Sequence, residues 1–395
     1  MLENIKNMFY AIMPLRPEQK ELLSGLDDYL QKDDLKEVRY LLRHRMAQIT
    51  ESSFNLSPQL LPGFSFPEIQ PGTPDKRIIS YIQKLNSIIL KKAKQKAFHE
   101  FSKNAATIIP RFIAMNIVGM DYVKKAVSLQ LFSKERFHIL LLGDPGTGKT
   151  EILRSAAALS PISSFGLGSG TSSAGLTVTV SGKAVSKGLL PMADNGLCAI
   201  DELNLMDPKD RASLYNAMEK GFVSYDKGGN HFTFDARVRV LATANPKKDR
   251  FVGFSLETIK KQIPFDSALL SRFHLVFLIR KPDIRQFIKI TEKIITENVK
   301  PKTEDERFIS DYIRFAQSYL PEITIPGSFK GEIASFIGQI KRDEKKYIVE
   351  ISPRLAIGFV RMAKASARMS LRDKVSKKDI ELVKKIMLYG LSIRK

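Results

Sequence analysis

The segment that most restricts the fold is Gly143-Asp144-Pro145-Gly146-Thr147-Gly148-Lys149-Thr150, which follows the apolar run His138-Ile139-Leu140-Leu141-Leu142 without a break. A short apolar run that ends in a glycine-rich turn reads as a buried strand entering a loop. The glycines allow consecutive backbone N–H groups to turn inward on phosphate oxygens, Lys149 adds positive charge at the β/γ position, and the Thr150 hydroxyl suits Mg²⁺. The spacing predicts strand, phosphate-cradling loop and helix in that order, hence an α/β nucleotide-binding domain. A glycine-rich turn that merely joins a strand to a capped helix is the plain alternative.

About fifty residues after Lys149, the apolar run Leu197-Cys198-Ala199-Ile200 ends in Asp201-Glu202. An acidic pair after a strand says little alone, but after a phosphate loop it suits hydrolysis. Asp201 would hold the Mg²⁺ shell and Glu202 would orient and polarise the attacking water, because phosphoryl transfer depends on positioning and charge neutralisation. The run 238–244 ends in Asn245-Pro246 and sets an amide at the carboxyl edge of the same sheet, where ligands gather; an ordinary Asn-Pro turn is the other reading. Arg272 closes the short apolar helix of Asp266-Ser267-Ala268-Leu269-Leu270-Ser271, ahead of the strand-like Leu275-Val276-Phe277-Leu278-Ile279. An arginine there can reach a neighbouring subunit's γ-phosphate, or it can be a salt-bridged residue at a helix end. Arg354 follows Ser352-Pro353, where proline suits a first helical turn, and a second phosphate-sensing arginine is expected.

The 395 residues are 43% hydrophobic, enough for two or three domains with cores of their own. No apolar stretch approaches the roughly 18 uncharged residues of a membrane span, and the start, Met1-Leu2-Glu3-Asn4-Ile5-Lys6, lacks the layout of a secretory signal. A cytoplasmic, nucleoid-associated protein with no membrane partner is expected. The single cysteine, Cys198, excludes a disulfide framework and any zinc module needing two thiolates from this chain, and it reads as core. The net charge of +21 points to an anionic partner, most often nucleic acid. Within the basic carboxyl-terminal part, Arg361, Lys364, Arg368 and Arg372 recur at helical spacing opposite Leu355, Phe359, Met362 and Met369. That basic face reads either as turned toward DNA or a neighbouring subunit, or as simply solvated.

Along the chain, residues 1–95 are helical in pattern, with a linker marked by Pro58, Pro62, Pro67, Pro71 and Pro74. Residues 96–282 alternate short strands with helices, as a parallel sheet wrapped by helices requires, and residues 283–395 form a helical lid. Two hairpins are expected within the sheet domain. One lies within 175–195, with Lys183 and Lys187 near its turn, and one within 221–236, where Lys227 precedes the turn residues Gly228-Gly229. A lysine at such a tip binds phosphate without reading bases, unless it is merely solvated.

The order of phosphate loop, Asp-Glu strand, Ala-Asn-Pro, Ser-Arg-Phe and a lid with Pro-Arg resembles that of the AAA+ ATPases. Ile117-Val118-Gly119-Met120-Asp121, 126–132, Gly143-Asp144-Pro145-Gly146, 171–177 and Leu269-Leu270-Ser271-Arg272-Phe273 extend the likeness to the minichromosome maintenance (MCM) replicative helicases. The resemblance implies an AAA+ P-loop core with two β-hairpin inserts, ATP and Mg²⁺ as cofactors, and a homo-oligomeric ring, usually a hexamer, with ATP between subunits. It further implies a central channel in which the hairpins, similar to the helix-2 insert and the pre-sensor hairpin, hold DNA, and other replication proteins as partners. The activity implied is ATP-driven DNA translocation or unwinding. A nucleotide-gated DNA-binding or loading platform, and a remodelling ATPase of the magnesium-chelatase and MoxR type, remain compatible with the same motifs. Four departures from the pattern are visible: Gly148-Lys149-Thr150 stands where alanine, lysine and serine are typical, 203–206 lacks the usual charges, His274 replaces an aspartate, and residues 1–95 leave no room for the family's collar.

Overall fold

The computed structural model describes residues 94–181, 184–227, 230–296 and 303–392. The expected amino-terminal helical region and its proline linker, apart from a helix at 94–102, lie outside these residues, as does Lys183. The chain divides into two units, Met1–Lys103 and Asn104–Lys395, and the site lies wholly in the second.

In chain order the strands are β1 (Ile139–Gly143), β2 (Ser163–Leu167), β3 (Val178–Ser181), β4 (Ala184–Lys187), β5 (Leu197–Asp201), β6 (Phe222–Lys227), β7 (Asn230–Asp235), β8 (Arg239–Ala244) and β9 (Leu275–Ile279). Five form one parallel sheet in the spatial order β2-β5-β8-β1-β9. Every residue of β1, β5, β8 and β9 is buried, which is why these segments are nearly unbroken apolar runs rather than alternating ones. Parallel pairing also aligns the strand ends. Leu142 sits opposite Ala244, Gly143 opposite Ile279 and Ile200 opposite Ala242, so the phosphate loop, Asp201 and Asn245 all leave the sheet along one edge.

The two expected hairpins form as β3–β4 and β6–β7, both antiparallel. Ser181 pairs with Ala184 and Lys227 with Asn230. Lys187 ends β4 and is exposed, while Lys227 holds the last paired position of β6. Cys198 is core, as expected, and burial raises its thiol to about 11. Among the described residues no helix is long and apolar enough to cross a membrane.

Among the described residues of 283–395, the expected helical lid, the longer helices are Ile284–Thr296, Thr303–Tyr319, Lys330–Arg342, Pro353–Met369 and Lys377–Leu391. The Pro353–Met369 helix packs on the Asp121–Phe132 helix of the core and buries Leu355, Phe359, Met362 and Met369, the apolar stripe expected from the sequence. Its basic stripe makes contacts within the fold. Arg361 Nε donates to Glu135 Oε2 (2.9 Å), and Arg372 pairs through two nitrogens with Asp379 (2.8 Å each). Arg368 is 4% exposed and donates to the carbonyls of Phe132 and Leu320, both at 3.0 Å. Those carbonyls lie at the carboxyl ends of two helices, where main-chain acceptors have no intrahelical partner and the helix dipole attracts a cation. One guanidinium therefore closes two helix ends. Replacing Arg368 with Met should lower unfolding free energy by about 2–4 kcal/mol in urea titration, because two buried acceptors are left unmet. A loss below about 0.5 kcal/mol, typical of surface substitutions, would contradict this role.

Candidate active site

At the end of β1 the chain passes so close to β9 that a Cβ on Gly143 would lie 1.9 Å from the carbonyl oxygen of Ile279. Glycine is required there. The loop then turns through Gly146 at φ +72, where a Cβ would meet no heavy atom within 4 Å, and the Lys149–Leu159 helix begins. Asp144 is 5% exposed and its carboxylate accepts the backbone N–H groups of Phe251 (2.7 Å) and Lys281 (3.0 Å). Its side chain thus anchors the loop to the ends of two neighbouring segments, while Thr147 Oγ1 donates to the Asp144 carbonyl (2.8 Å). Pro145 is exposed at the turn. Lys149 is 6% exposed, and its ammonium donates to the carbonyls of Gly143 (2.9 Å) and Asp144 (2.6 Å). Burial lowers that ammonium from 10.5 to about 8, against the opposing pull of Asp144, Asp201 and Glu202.

Two strands away, Asp201 ends β5 and reaches toward the start of the same helix. Thr150 Oγ1 donates to Asp201 Oδ1 (3.2 Å), so the hydroxyl and the carboxylate expected to share a cation already touch. Thr243, on the intervening β8, donates to the same oxygen and accepts the N–H of Glu202 (2.9 Å). Glu202 itself stands at φ 53 and ψ 47, left-handed backbone that is uncommon without glycine. Asn245 follows β8, and its N–H donates to Asn204 Oδ1 (3.0 Å).

The arginines lie elsewhere. His274 N donates to the carbonyl of His138, the residue before β1, so Arg272 approaches β9 from the sheet's amino edge. The phosphate loop leaves the opposite edge, five strand residues or about 16 Å away. Arg272 donates to Glu219 Oε2 (3.2 Å), and its guanidinium lies 4.8 Å above the Tyr215 ring. Arg354, second residue of the Pro353–Met369 helix, donates to Glu219 Oε1 (3.3 Å) and to the Ser271 carbonyl (3.3 Å). Glu219 thus gathers both guanidiniums on one face. Just below, burial pushes His138 to about 3 and His274 to about 2, so both rings are neutral, and His274 Nδ1 accepts the N–H of His138 (3.1 Å).

The structure therefore brings Lys149, Thr150, Asp201, Glu202 and Asn245 to one edge of the sheet, and Arg272 with Arg354 to the other. The open face at Gly146, the amino end of the Lys149–Leu159 helix and the Thr150–Asp201 oxygen pair fit a polyphosphate with a hard divalent cation. Thr243, Asn204 and Glu219 were not foreseen as site residues. Thr243 had one legible signal, a hydroxyl within an otherwise apolar strand; Glu219 and Asn204 lie in segments whose spacing carries no motif.

Residues 94–298 match the MCM P-loop domain and residues 307–390 the MCM AAA-lid domain. The chain is 28% identical over 329 residues to the minichromosome maintenance protein MCM of Saccharolobus solfataricus, covering 77% of this chain and 47% of the relative. It is 30% identical over 325 residues to the DNA replication licensing factor mcm7-B of Xenopus laevis, covering 75% and 44%, and 30% identical over 314 residues to mcm7 of Schizosaccharomyces pombe, covering 72% and 41%. The matched region spans less than half the length of each of these relatives.

The depressed ammonium of Lys149 has a measurable consequence. Below about pH 8 the free protein already carries this proton; above it the proton is lost, whereas a bound phosphate retains it. Nucleotide affinity should therefore be flat up to about pH 8 and fall by up to about tenfold per pH unit above it. Calorimetry in two buffers should register proton uptake on binding above pH 8 and none at neutral pH, and Lys149→Arg should remove the uptake. Proton release on binding, or the same uptake in Lys149→Arg, would contradict the assignment.

Proposed function

The chain belongs to the MCM family of AAA+ proteins, and on that premise we propose that it is an ATP-hydrolysing DNA translocase or helicase acting in replication. It works as a homo-oligomeric ring in which each nucleotide lies between two copies. The single observation that carries this reading is the separation of the two halves of the site: Lys149 and Glu202 stand at the carboxyl edge of the sheet, Arg272 and Arg354 at the amino edge. An arginine side chain reaches about 7 Å, well short of the roughly 16 Å between the edges of one sheet. A γ-phosphate held by one copy can meet these guanidiniums only on an adjacent copy, and a head-to-tail contact of this kind repeats until the ring closes.

In that arrangement the backbone N–H groups of the loop and Lys149 hold the β- and γ-phosphates. Magnesium bound by Thr150 and Asp201 would supply further positive charge to the same oxygens. Glu202 draws the proton of the attacking water, and Asn245 orients that water or the γ-phosphate. Arg272 and Arg354 of the adjacent copy stabilise the charge that builds on the transferring phosphoryl group. The β3–β4 and β6–β7 hairpins carry Lys187 and Lys227 toward a central channel, where they grip the DNA backbone without reading sequence. Lys183 belongs to the same grip. The protein would act in the cytoplasm at the nucleoid, together with other replication proteins. A homo-hexamer is the expected size.

The overall charge of +21 favours DNA over a protein client as the moving partner. ATP hydrolysis measured with and without single-stranded and forked DNA tests this. DNA should raise the rate, Lys227→Ala should remove most of that rise, and the remaining stimulation should weaken steeply with salt. Hydrolysis indifferent to DNA but raised by a folded protein client would move the assignment to a remodelling ATPase.

A further inference from the structure

The left-handed backbone at Glu202 is held from both sides. Its N–H donates to Thr243 Oγ1 (2.9 Å), and its carbonyl accepts the N–H of Leu205 (2.9 Å). On the far side the chain approaches so closely that a Cβ on Gly168 would lie 2.2 Å from the Glu202 carbonyl oxygen. A non-glycine residue in this conformation is unfavourable by about 1–2 kcal/mol, so it persists only where neighbours impose it.

Thr243 is 2% exposed and has one proton to give. Its oxygen already accepts from Glu202, and a carboxylate can only accept, so the proton points at Asp201 Oδ1. Thr150 donates to that same oxygen. One hydroxyl thereby fixes the rotation of the Asp201 carboxylate and the peptide plane from which the Glu202 side chain departs. The contact crosses between strands, β8 to β5, and so places the two acidic residues relative to the neighbouring strand rather than only to each other.

We propose that Thr243 is a positioning residue for hydrolysis: its hydroxyl sets the backbone at Glu202, and with it the direction of the carboxylate that activates water. The proposal rests on the assignment of Asp201 and Glu202 as the hydrolytic pair. Misplacing a reacting group by about 1 Å can lower a rate about a hundredfold, so a hydroxyl whose partners are Asp201 and the Glu202 amide acts on turnover through the placement of those two residues. Asn204, whose Oδ1 accepts the N–H of Asn245, ties the next element of the site to the same turn.

The test uses the full-length chain and compares Thr243→Val, which keeps the shape, Thr243→Ser, which keeps the hydroxyl, and Glu202→Gln. Thr243→Val should lower kcat about tenfold or more with KM for ATP changed less than about twofold, and Thr243→Ser should keep most of the rate. Hydrogen exchange at the Glu202 amide should quicken at least about tenfold in Thr243→Val and stay slow in Thr243→Ser, independently of turnover. If Thr243→Val fails to fold, Thr243→Ala, which adds no bulk, is measured in its place. Wild-type kcat and slow amide exchange in the variant lacking the hydroxyl, alongside an inactive Glu202→Gln, would overturn the proposal. Equal losses in Thr243→Ser and Thr243→Val would also overturn it, since both would then report packing. Full activity in Glu202→Gln would instead overturn the assignment of the hydrolytic pair.

Discussion

A parallel sheet has a direction, and in this protein that direction separates the phosphate loop from Arg272 and Arg354. β1 and β9 run side by side in register from Ile139 and Leu275 to Gly143 and Ile279. The phosphate loop comes after β1, and the arginine segment comes before β9. Any sequence that places a phosphate loop after one strand and an arginine before its parallel neighbour will put them at opposite edges. The distance between them is then set by strand length, which side-chain rotation cannot span. The proposed sharing of the site between adjacent copies rests on this one geometric fact, and Glu219 keeps Arg272 and Arg354 together at the amino edge.

Around this sheet, buried polar groups rather than apolar contacts alone fix how the parts are registered. Gln130 is fully buried and its amide donates to the carbonyls of Phe137 (2.7 Å) and Val240 (2.8 Å), tying a helix to two neighbouring segments. Arg368 closes two helix ends, and Arg361 holds the lid helix to the segment before β1 while facing His274. A Cβ on Gly358 would lie 3.1 Å from the Cβ of His274, so the lid helix rests directly on that residue. The departure at His274 is therefore an internal contact under the lid. The same helix carries Arg354, so the lid's seat on the core and the placement of that arginine are set together.

Much of this was legible in the sequence because each signal was local. The phosphate loop, the acidic strand end, the Ser-Arg-Phe turn and both hairpins each depend on a few adjacent residues, and the strands expected there form within a residue or two, whereas β2 (Ser163–Leu167), half exposed, carried no such signal. The 238–244 run, for example, forms β8 at Arg239–Ala244. What periodicity could not supply was which side of a helix is covered when neighbours pack on both. The stripe of Arg361, Lys364, Arg368 and Arg372 has the spacing of a solvent face, yet it meets carbonyls and carboxylates within the fold. Nor could spacing reveal Thr243, whose partners lie 41 and 42 positions away and meet it only through strand order. Asp144 reads as part of the ligand loop, but its carboxylate is occupied by the N–H groups of Phe251 and Lys281, so this residue contributes to the loop through shape.

The most direct test of the central claim is to mix two inactive variants, Lys149→Ala and Arg272→Ala, each with one half of the site removed. If the halves come from adjacent copies, mixing restores hydrolysis, because roughly a quarter of randomly formed interfaces then join an intact phosphate loop to an intact arginine. If both halves acted within one chain, every copy would remain defective, and the mixture would be as inactive as its components.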